Sequence, residues 1–322
     1  MARDIGYFAW AAIFLACVLV IVVLTPLGPP ILPVRGNAPA QAPAGEIDVP
    51  EGVTLYRLDS DSVAFIEFKG MVYNLGVVSN DPSDLKAEYE AGFMQGRLQK
   101  PLIGITRDNM WDAVFLVDAS EFKKLPPTDA QKGQAKRILE TNYNYTLGYI
   151  RGADADVQPK LKRVLFRMLG IYHGATLESP EPLDFSGGWV PELEYFAESE
   201  LALNYESEEV SFMDVYLING YADLFDVVDG EDAEKGAESD NPSSCSAFAK
   251  KVGGDILFAH NSWSSYIDQS MVQTYYVNGD FVTFNTLSPG MMASNTDFGY
   301  NNKGIAFLET THHATYTEPK AG

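Results

Sequence analysis

This chain of 322 residues contains the stretch Cys245-Ser-Ala-Phe-Ala-Lys-Lys-Val-Gly-Gly-Asp-Ile-Leu-Phe-Ala-His-Asn-Ser-Trp263. Two strand-like runs separated by Gly253-Gly254 predict a β-hairpin, because two-residue hairpin turns use positive φ angles that glycine adopts without strain. With the two glycines at the centre of the turn, Val252 pairs with Asp255. The rest of the register follows from that pair.

In this register Cys245 lies opposite Ser262, and His260 and Asn261 flank that position. Cross-strand neighbours lie about 4.5–5.5 Å apart at Cβ, so the hairpin brings a thiol, an imidazole and an amide into one small region. A single-residue bulge would turn these side chains to the other face. The grouping is therefore a hypothesis that depends on an unbroken register.

The acidic segment before Cys245, residues 227–244, has almost nothing to bury, which predicts a flexible loop. A thiol at the end of such a loop can attack the carbonyl of Ser244 and transfer the chain from nitrogen to sulfur. Hydrolysis of the thioester would leave Cys245 as a new N-terminus. Its α-amine, with an ordinary pKa of about 7.7–8.0, would then be the base for the thiol, so no histidine base is required.

The cysteine count allows a second interpretation of Cys245. The only other cysteine, Cys17, lies in an apolar run near the N-terminus, so an intramolecular disulfide is not expected. On count alone, a small buried side chain is the more common role for such a thiol. The position of Cys245 directly after a polar loop favours a nucleophile instead.

Several sequence blocks together resemble the phospholipase B-like family of N-terminal-nucleophile (Ntn) cysteine hydrolases. The resemblance runs from about residue 60 to 316. The matching blocks are, in chain order, Tyr89–Gly96, Val210–Asn219, Ser244–Ala247 with Gly253–Trp263, and Gly304–Thr311. One block would be weak support, and four in the same order are strong support.

The resemblance implies an α+β fold of the Ntn type, a four-layer αββα sandwich, and a proenzyme cut before Cys245. It also implies hydrolysis of an acyl ester or amide bond. Cys245 would be the nucleophile, His260 and Trp263 would line the site, and Asn261 would support or polarise the reacting group.

The resemblance further implies a donor to the acyl oxygen at the end of the later strand, for which Thr311 is preferred over Thr310. It also implies a second, C-terminal half beyond Gly322. The sandwich is therefore expected to be incomplete in this chain, which would need the missing half or self-association. Disulfides of the family type are not expected.

The N-terminus predicts export. Residues 7–24 are all apolar and long enough to cross a bilayer as a helix. A cleaved signal peptide is the alternative, but Ala38-Pro39-Ala40 lies farther from the apolar run than cleavage sites usually do. The expected location is extracytoplasmic, membrane-anchored or secreted, and lysosome-like or extracellular in a eukaryote. The predicted parts are a membrane anchor or signal at 1–27, a Pro/Ala-rich linker at 28–50, an N-terminal part at 51–244 and the start of the catalytic part at 245–322.

Composition excludes some partners. A net charge of −21, from 44 acidic and 23 basic residues, argues against nucleic acid, because little is available to neutralise a row of phosphates. It also disfavours electrostatic docking to anionic lipid.

No cofactor is implied, and a metal site is not expected, since adjacent His312 and His313 would point to opposite faces of a strand. Asn144-Tyr-Thr146 is a glycosylation acceptor pattern.

Three functional alternatives follow. The favoured one is removal of acyl groups from lipid or phospholipid esters, and the second is hydrolysis of N-acyl amides on the same fold. The third is a non-catalytic, membrane-tethered binding protein. A papain-like protease is disfavoured, because there the cysteine begins a helix and the histidine lies far downstream.

Periodicity predicts the remaining elements. A helix begins after Asn80-Asp-Pro-Ser83 and continues to about Leu98, with Gly92 and Gly96 four apart, where another backbone could approach closely. Strands are expected at 54–58, 63–78 (with a turn at Gly70), 271–277, 281–287 and 304–311, and further helices at 130–150, 156–170 and 210–226.

Overall fold

The computed structural model describes residues 52–58, 62–69, 72–79, 84–115, 126–186, 188–220, 224, 245–261, 272–278, 281–292 and 298–308. All of them lie in one unit, Val49–Gly322. The predicted anchor at 7–24 and linker at 28–50 are outside the described residues. No helix among those described is both long enough and apolar enough to span a bilayer.

Nine strands form two sheets in the described residues. The strands are β1 Val53–Arg57, β2 Val63–Lys69, β3 Val72–Ser79, β4 Ser246–Val252, β5 Asp255–Asn261, β6 Val272–Asn278, β7 Phe281–Leu287, β8 Phe298–Asn301 and β9 Ala306–Leu308. The larger sheet has seven strands in the order β1-β2-β3-β6-β7-β8-β9, and all neighbouring strands in it are antiparallel except the parallel pair β3–β6. The smaller sheet is the hairpin β4–β5.

One face of the seven-stranded sheet packs on helices. The alternating residues Ala64, Ile66, Leu75 and Val77 of β2 and β3 are buried in the core. Leu287, at the end of β7, is buried on the same face. Helix α1 (Asp84–Phe115) covers β1, β2 and β3. The period-two alternation of these strands therefore sets which face holds the core.

The opposite face carries aromatic side chains. The ring of Phe65 lies over Gly76, so a Cβ built at Gly76 would be 2.1 Å from Phe65 Cε1. The strand register places Phe284 and Tyr300 on this same face. Their rings are stacked, with centroids 4.7 Å apart. Phe65 and Tyr300 remain exposed on this face.

The helical layer is centred on a close crossing of α1 with α3 (Gln158–Thr176). A Cβ built at Gly96 would lie 2.0 Å from the Ile171 carbonyl oxygen, and one at Gly174 would lie 1.9 Å from the Phe93 carbonyl oxygen. Gly92 and Gly170 face equally close backbone. The predicted close approach at Gly92 and Gly96 is therefore confirmed, and the partner is a helix of the same domain.

Two further helices complete the layer. Helix α2 (Asp129–Gly152) begins with a capping box between Thr128 and Gln131. Helix α4 spans residues 212–220, with Ser211 at its N-cap. Asn144 of the acceptor pattern is exposed on α2.

The strands predicted at 54–58, 63–78, 271–277 and 281–287 and the helix predicted at 130–150 are confirmed to within two residues in the described part of the chain. Helix α3 continues to Thr176 rather than ending at 170, α4 is described over 212–220 of the predicted 210–226, and the strand predicted at 304–311 is described only as β9. Two further corrections concern α1 and β8. Helix α1 continues through Pro101 to Phe115 rather than ending near Leu98, because its second half is anchored by buried side chains such as Arg107 and Trp111. Strand β8 was not predicted. Mixed helices and mainly antiparallel sheets confirm the α+β class. The helices lie on one face of the large sheet and the hairpin contacts the other.

Candidate active site

The hairpin β4–β5 has the predicted register throughout its described length. Val252 pairs with Asp255, Ala247 with His260 and Ser246 with Asn261, with no bulge between them. Gly253 adopts a φ of 63°, which explains why the turn needs glycine at this position. Cys245 directly precedes β4 and is partly exposed.

The two faces of the hairpin separate the candidate residues. Ala247 and His260 share one face and Ser246 and Asn261 the other, because paired residues point to the same side and neighbours alternate. Continuing the alternation one residue back places Cys245 with His260. They are diagonal neighbours, about 7–8 Å apart at Cα. The Asn261 amide, which was predicted to lie in one small region with the His260 imidazole, is therefore on the opposite face of the hairpin.

Phe258 connects the hairpin to the large sheet. It lies two residues before His260 on the same face of β5, and its ring is 5.7 Å from that of Phe298 and 6.1 Å from that of Tyr300. The face that bears His260 is therefore turned toward the aromatic side of the seven-stranded sheet at Phe258. Ser244, Ser262, Trp263, Thr310 and Thr311 lie outside the described residues.

A buried ion pair positions helix α4, which precedes the acidic segment before Cys245 in the sequence. Arg107 and Asp214 have fully buried side chains, and Arg107 Nη1 lies 3.4 Å from Asp214 Oδ2. Asp214 also accepts hydrogen bonds from the backbone N–H of Ser211 at 2.9 Å and of Asn204 at 2.8 Å. Burial raises the pKa of Asp214, while Arg107 and these donors oppose that rise. The Asp214 N–H in turn donates to the Ser211 hydroxyl oxygen at 2.9 Å, which completes a capping box.

Three amide side chains hold the loop that follows β7. Gln95 Nε2 donates to the Met291 carbonyl at 2.8 Å, and Gln99 Oε1 accepts from the Gly290 N–H at 2.9 Å. Asn219 of α4 donates to the Gly290 carbonyl and accepts from the Met292 N–H, both at 2.9 Å. These contacts link α1 and α4 to the large sheet. Sequence reasoning missed them, although a Gln-x-x-x-Gln pair on a buried helix face was the available signal.

A buried histidine lies in the α1–α3 crossing. His173 Nδ1 is 2.8 Å from the Tyr89 hydroxyl, which accepts the Glu181 N–H at 3.0 Å. Because the hydroxyl accepts this bond, its own hydrogen is available for Nδ1, an arrangement that a neutral imidazole protonated at Nε2 accommodates. Burial lowers the pKa of His173, while the nearby carboxylates of Glu181 and Glu200 act in the opposite direction.

We expect this histidine to make the fold less stable in acid. Because the folded pKa is below the ordinary value of 6.5, the unfolded chain binds the proton first as pH falls. The free energy of unfolding should then decrease below about pH 6.5, with a slope of up to about 1.4 kcal/mol per pH unit until His173 itself is protonated. Urea unfolding between pH 5 and pH 8 should show a shallower slope for His173→Gln. Equal slopes in the two proteins would contradict the assignment.

No metal centre is found: within the described part of the chain, no group of three or more His, Cys, Asp or Glu side chains could hold an ion. The arrangement is that of an α+β protein with a cysteine where a hairpin begins, on the side of the sheet away from its helices. Residues 196–318 match the family model described as Phospholipase B. The predicted resemblance to the phospholipase B-like family is confirmed over this segment, which includes the whole hairpin. No curated protein matches the chain.

Proposed function

We propose that the chain is a cysteine-dependent acyl hydrolase of the phospholipase B-like type, cut by itself before Cys245, which removes acyl groups from lipid or phospholipid esters. The match of residues 196–318 to the Phospholipase B family carries this proposal, because it spans the Cys245 hairpin and both flanking regions. The α+β fold and the unbroken hairpin register support it.

Activation begins with attack of the Cys245 thiol on the Ser244 carbonyl carbon. The C–N bond breaks as the C–S bond forms, and the nitrogen of Cys245 becomes an amine. Water then hydrolyses the thioester, leaving a carboxylate on Ser244 and a free thiol on Cys245. The new α-amine is the proton acceptor that the thiol needs in the following reaction.

Turnover uses the same sulfur. The α-amine takes the thiol proton, and the thiolate attacks the carbonyl carbon of the acyl ester. The ester oxygen leaves as an alcohol with that proton, and water hydrolyses the acyl-thioester to release the fatty acid. An N-acyl amide would follow the same steps with an amine as the leaving group.

The other candidates receive supporting roles. His260 shares the predicted face of Cys245, but the diagonal spacing suits a wall of the substrate site better than a base. The position of Asn261 on the other face makes it the weaker candidate for polarising the carbonyl. Trp263 would line the site, and Thr311 would donate to the developing oxyanion.

We further propose that the complete protein is an αββα sandwich. Helices on one face of the large sheet and the hairpin against its other face are compatible with the first three layers. Export with an anchor at residues 7–24 is proposed on the apolar sequence there. The remaining layer would come from a C-terminal half or from self-association.

Self-cleavage can be tested by intact mass and N-terminal sequencing of the full chain. Wild type should yield a fragment beginning at Cys245, and Cys245→Ala should remain uncut, because it has no atom to attack Ser244. The neighbouring variant Ser246→Ala should be cut like wild type, because Ser246 faces the other side of the hairpin. A folded wild-type chain that remains intact would overturn self-activation and favour the non-catalytic binding protein.

A further inference from the structure

One tripeptide in the chain, Asn144-Tyr-Thr146, fits the acceptor pattern for N-linked oligosaccharides, which is asparagine, any residue except proline, and then serine or threonine. Asn241-Pro-Ser243 has suitable end residues, but proline occupies its middle position. None of the other asparagines in the sequence is followed two positions later by serine or threonine. An N-linked oligosaccharide on this protein would therefore be attached to Asn144.

The structure leaves the side chain of Asn144 available for modification. Asn144 is exposed on helix α2, and no group in the described part of the chain forms a hydrogen bond with its side chain. Asn142, two residues earlier, is half-buried, and its Oδ1 accepts a hydrogen bond from the Tyr216 hydroxyl at 3.1 Å. Asn142 thus has a structural role, whereas Asn144 presents its amide to solvent.

The surface beside Asn144 has room for a bulky group. Gly148 lies one turn further along the same face of α2, and Gly152 lies one turn beyond Gly148. A Cβ built at either glycine would meet no atom within 4 Å. An oligosaccharide attached to Asn144 could therefore extend along this face without displacing a side chain.

We propose that Asn144 carries an N-linked oligosaccharide. The donor is a lipid-linked oligosaccharide diphosphate, and Asn144 Nδ2 attacks the anomeric carbon of its first sugar. The N–C bond forms as the bond from that carbon to the diphosphate oxygen breaks, and the lipid diphosphate leaves with one proton from the amide. Transfer to the nascent chain precedes the formation of α2, so the helix does not hinder it. The proposal rests on the export part of the proposed function and is independent of the Cys245 chemistry.

Cell-free translation of the full chain with microsomes of the endoplasmic reticulum tests this site. Protection from added protease measures translocation, and a shift in gel mobility that peptide N-glycosidase reverses measures the oligosaccharide. We expect a single shifted band in the protected chain. Because the glycosidase leaves aspartate at the modified asparagine, the mass of the peptide that contains Asn144 identifies the position.

Asn144→Gln and Thr146→Ala should each abolish the shift. Thr146→Ser should retain it, because serine keeps the hydroxyl that the acceptor pattern requires. The matched control is Asn142→Gln, which should be shifted like wild type, because the residue two positions after Asn142 is Asn144 and carries no hydroxyl. Cys245→Ala should also be shifted like wild type, so a failure of the hydrolase proposal would leave the shift unchanged.

A protected chain without the shift would overturn the proposal, and so would a shift that persists in Asn144→Gln. A chain that the protease digests completely would overturn the export on which the proposal rests.

Discussion

Replacing Cys245 by alanine is expected to lower the release of fatty acid from phosphatidylcholine vesicles by at least about 10³-fold, to the background rate. Under the proposed mechanism, the variant would lack the sulfur that carries the acyl group, and it would also lack the cleavage that frees the α-amine. Mass spectrometry of the released acid measures the rate. An N-acylethanolamine offered in parallel tests whether the scissile bond is an ester or an amide.

Ser246→Ala is the control for this experiment, because it changes the adjacent residue without removing the nucleophile. It should retain the wild-type rate. Hydrolysis by Cys245→Ala at the wild-type rate would exclude Cys245 as the nucleophile. If wild type releases fatty acid faster from the N-acylethanolamine than from phosphatidylcholine, Cys245 would remain the proposed nucleophile, and the substrate class would be an N-acyl amide instead of an ester.

Gly174→Ala is expected to lower the free energy of unfolding by about 2–4 kcal/mol. The new Cβ would lie 1.9 Å from the Phe93 carbonyl oxygen, and backbone cannot rotate away as a side chain can. Helices α1 and α3 would have to separate, which weakens the packing around Gly96 and Gly170 as well. Urea denaturation followed by circular dichroism measures the loss.

Gly148→Ala is the matched control on α2. Gly148 is exposed and helical, and a Cβ there would meet no atom within 4 Å. Alanine should therefore stabilise the protein by up to about 1 kcal/mol through its higher helix propensity. If both substitutions stabilise the protein, the close crossing of α1 and α3 is wrong.

The parts of the fold that depend on local sequence could be predicted. The register of the hairpin follows from Gly253-Gly254 and the alternation on either side, because a two-residue turn fixes every later pair. The helical spacing of Gly92 and Gly96 identified a close crossing. The spacing did not identify α3 as the partner helix, because a pair of glycines four residues apart, such as Gly170 and Gly174, does not show which helix it packs against.

Long-range contacts account for what was missed. Pro101 would end an isolated helix, yet Trp111 donates to the Asn204 carbonyl at 2.9 Å and Arg107 to the Ser207 carbonyl at 2.7 Å. These contacts hold the second half of α1 in place. Within the candidate site, the hairpin could be predicted because its register is local, whereas its contact with the large sheet through Phe258, Phe298 and Tyr300 joins residues far apart in the chain.

The parallel pair β3–β6 has a consequence for biosynthesis. It joins Tyr73 to Val272, so the ribosome must translate almost two hundred further residues before β3 finds its neighbour. Until then one edge of the three-stranded meander is unpaired, and such edges recruit other chains. The nascent protein therefore has a long period of vulnerability to aggregation, during which a chaperone or rapid export would protect it. Closure of the sheet must await strands that follow Cys245, so the architecture makes folding a late event on the pathway.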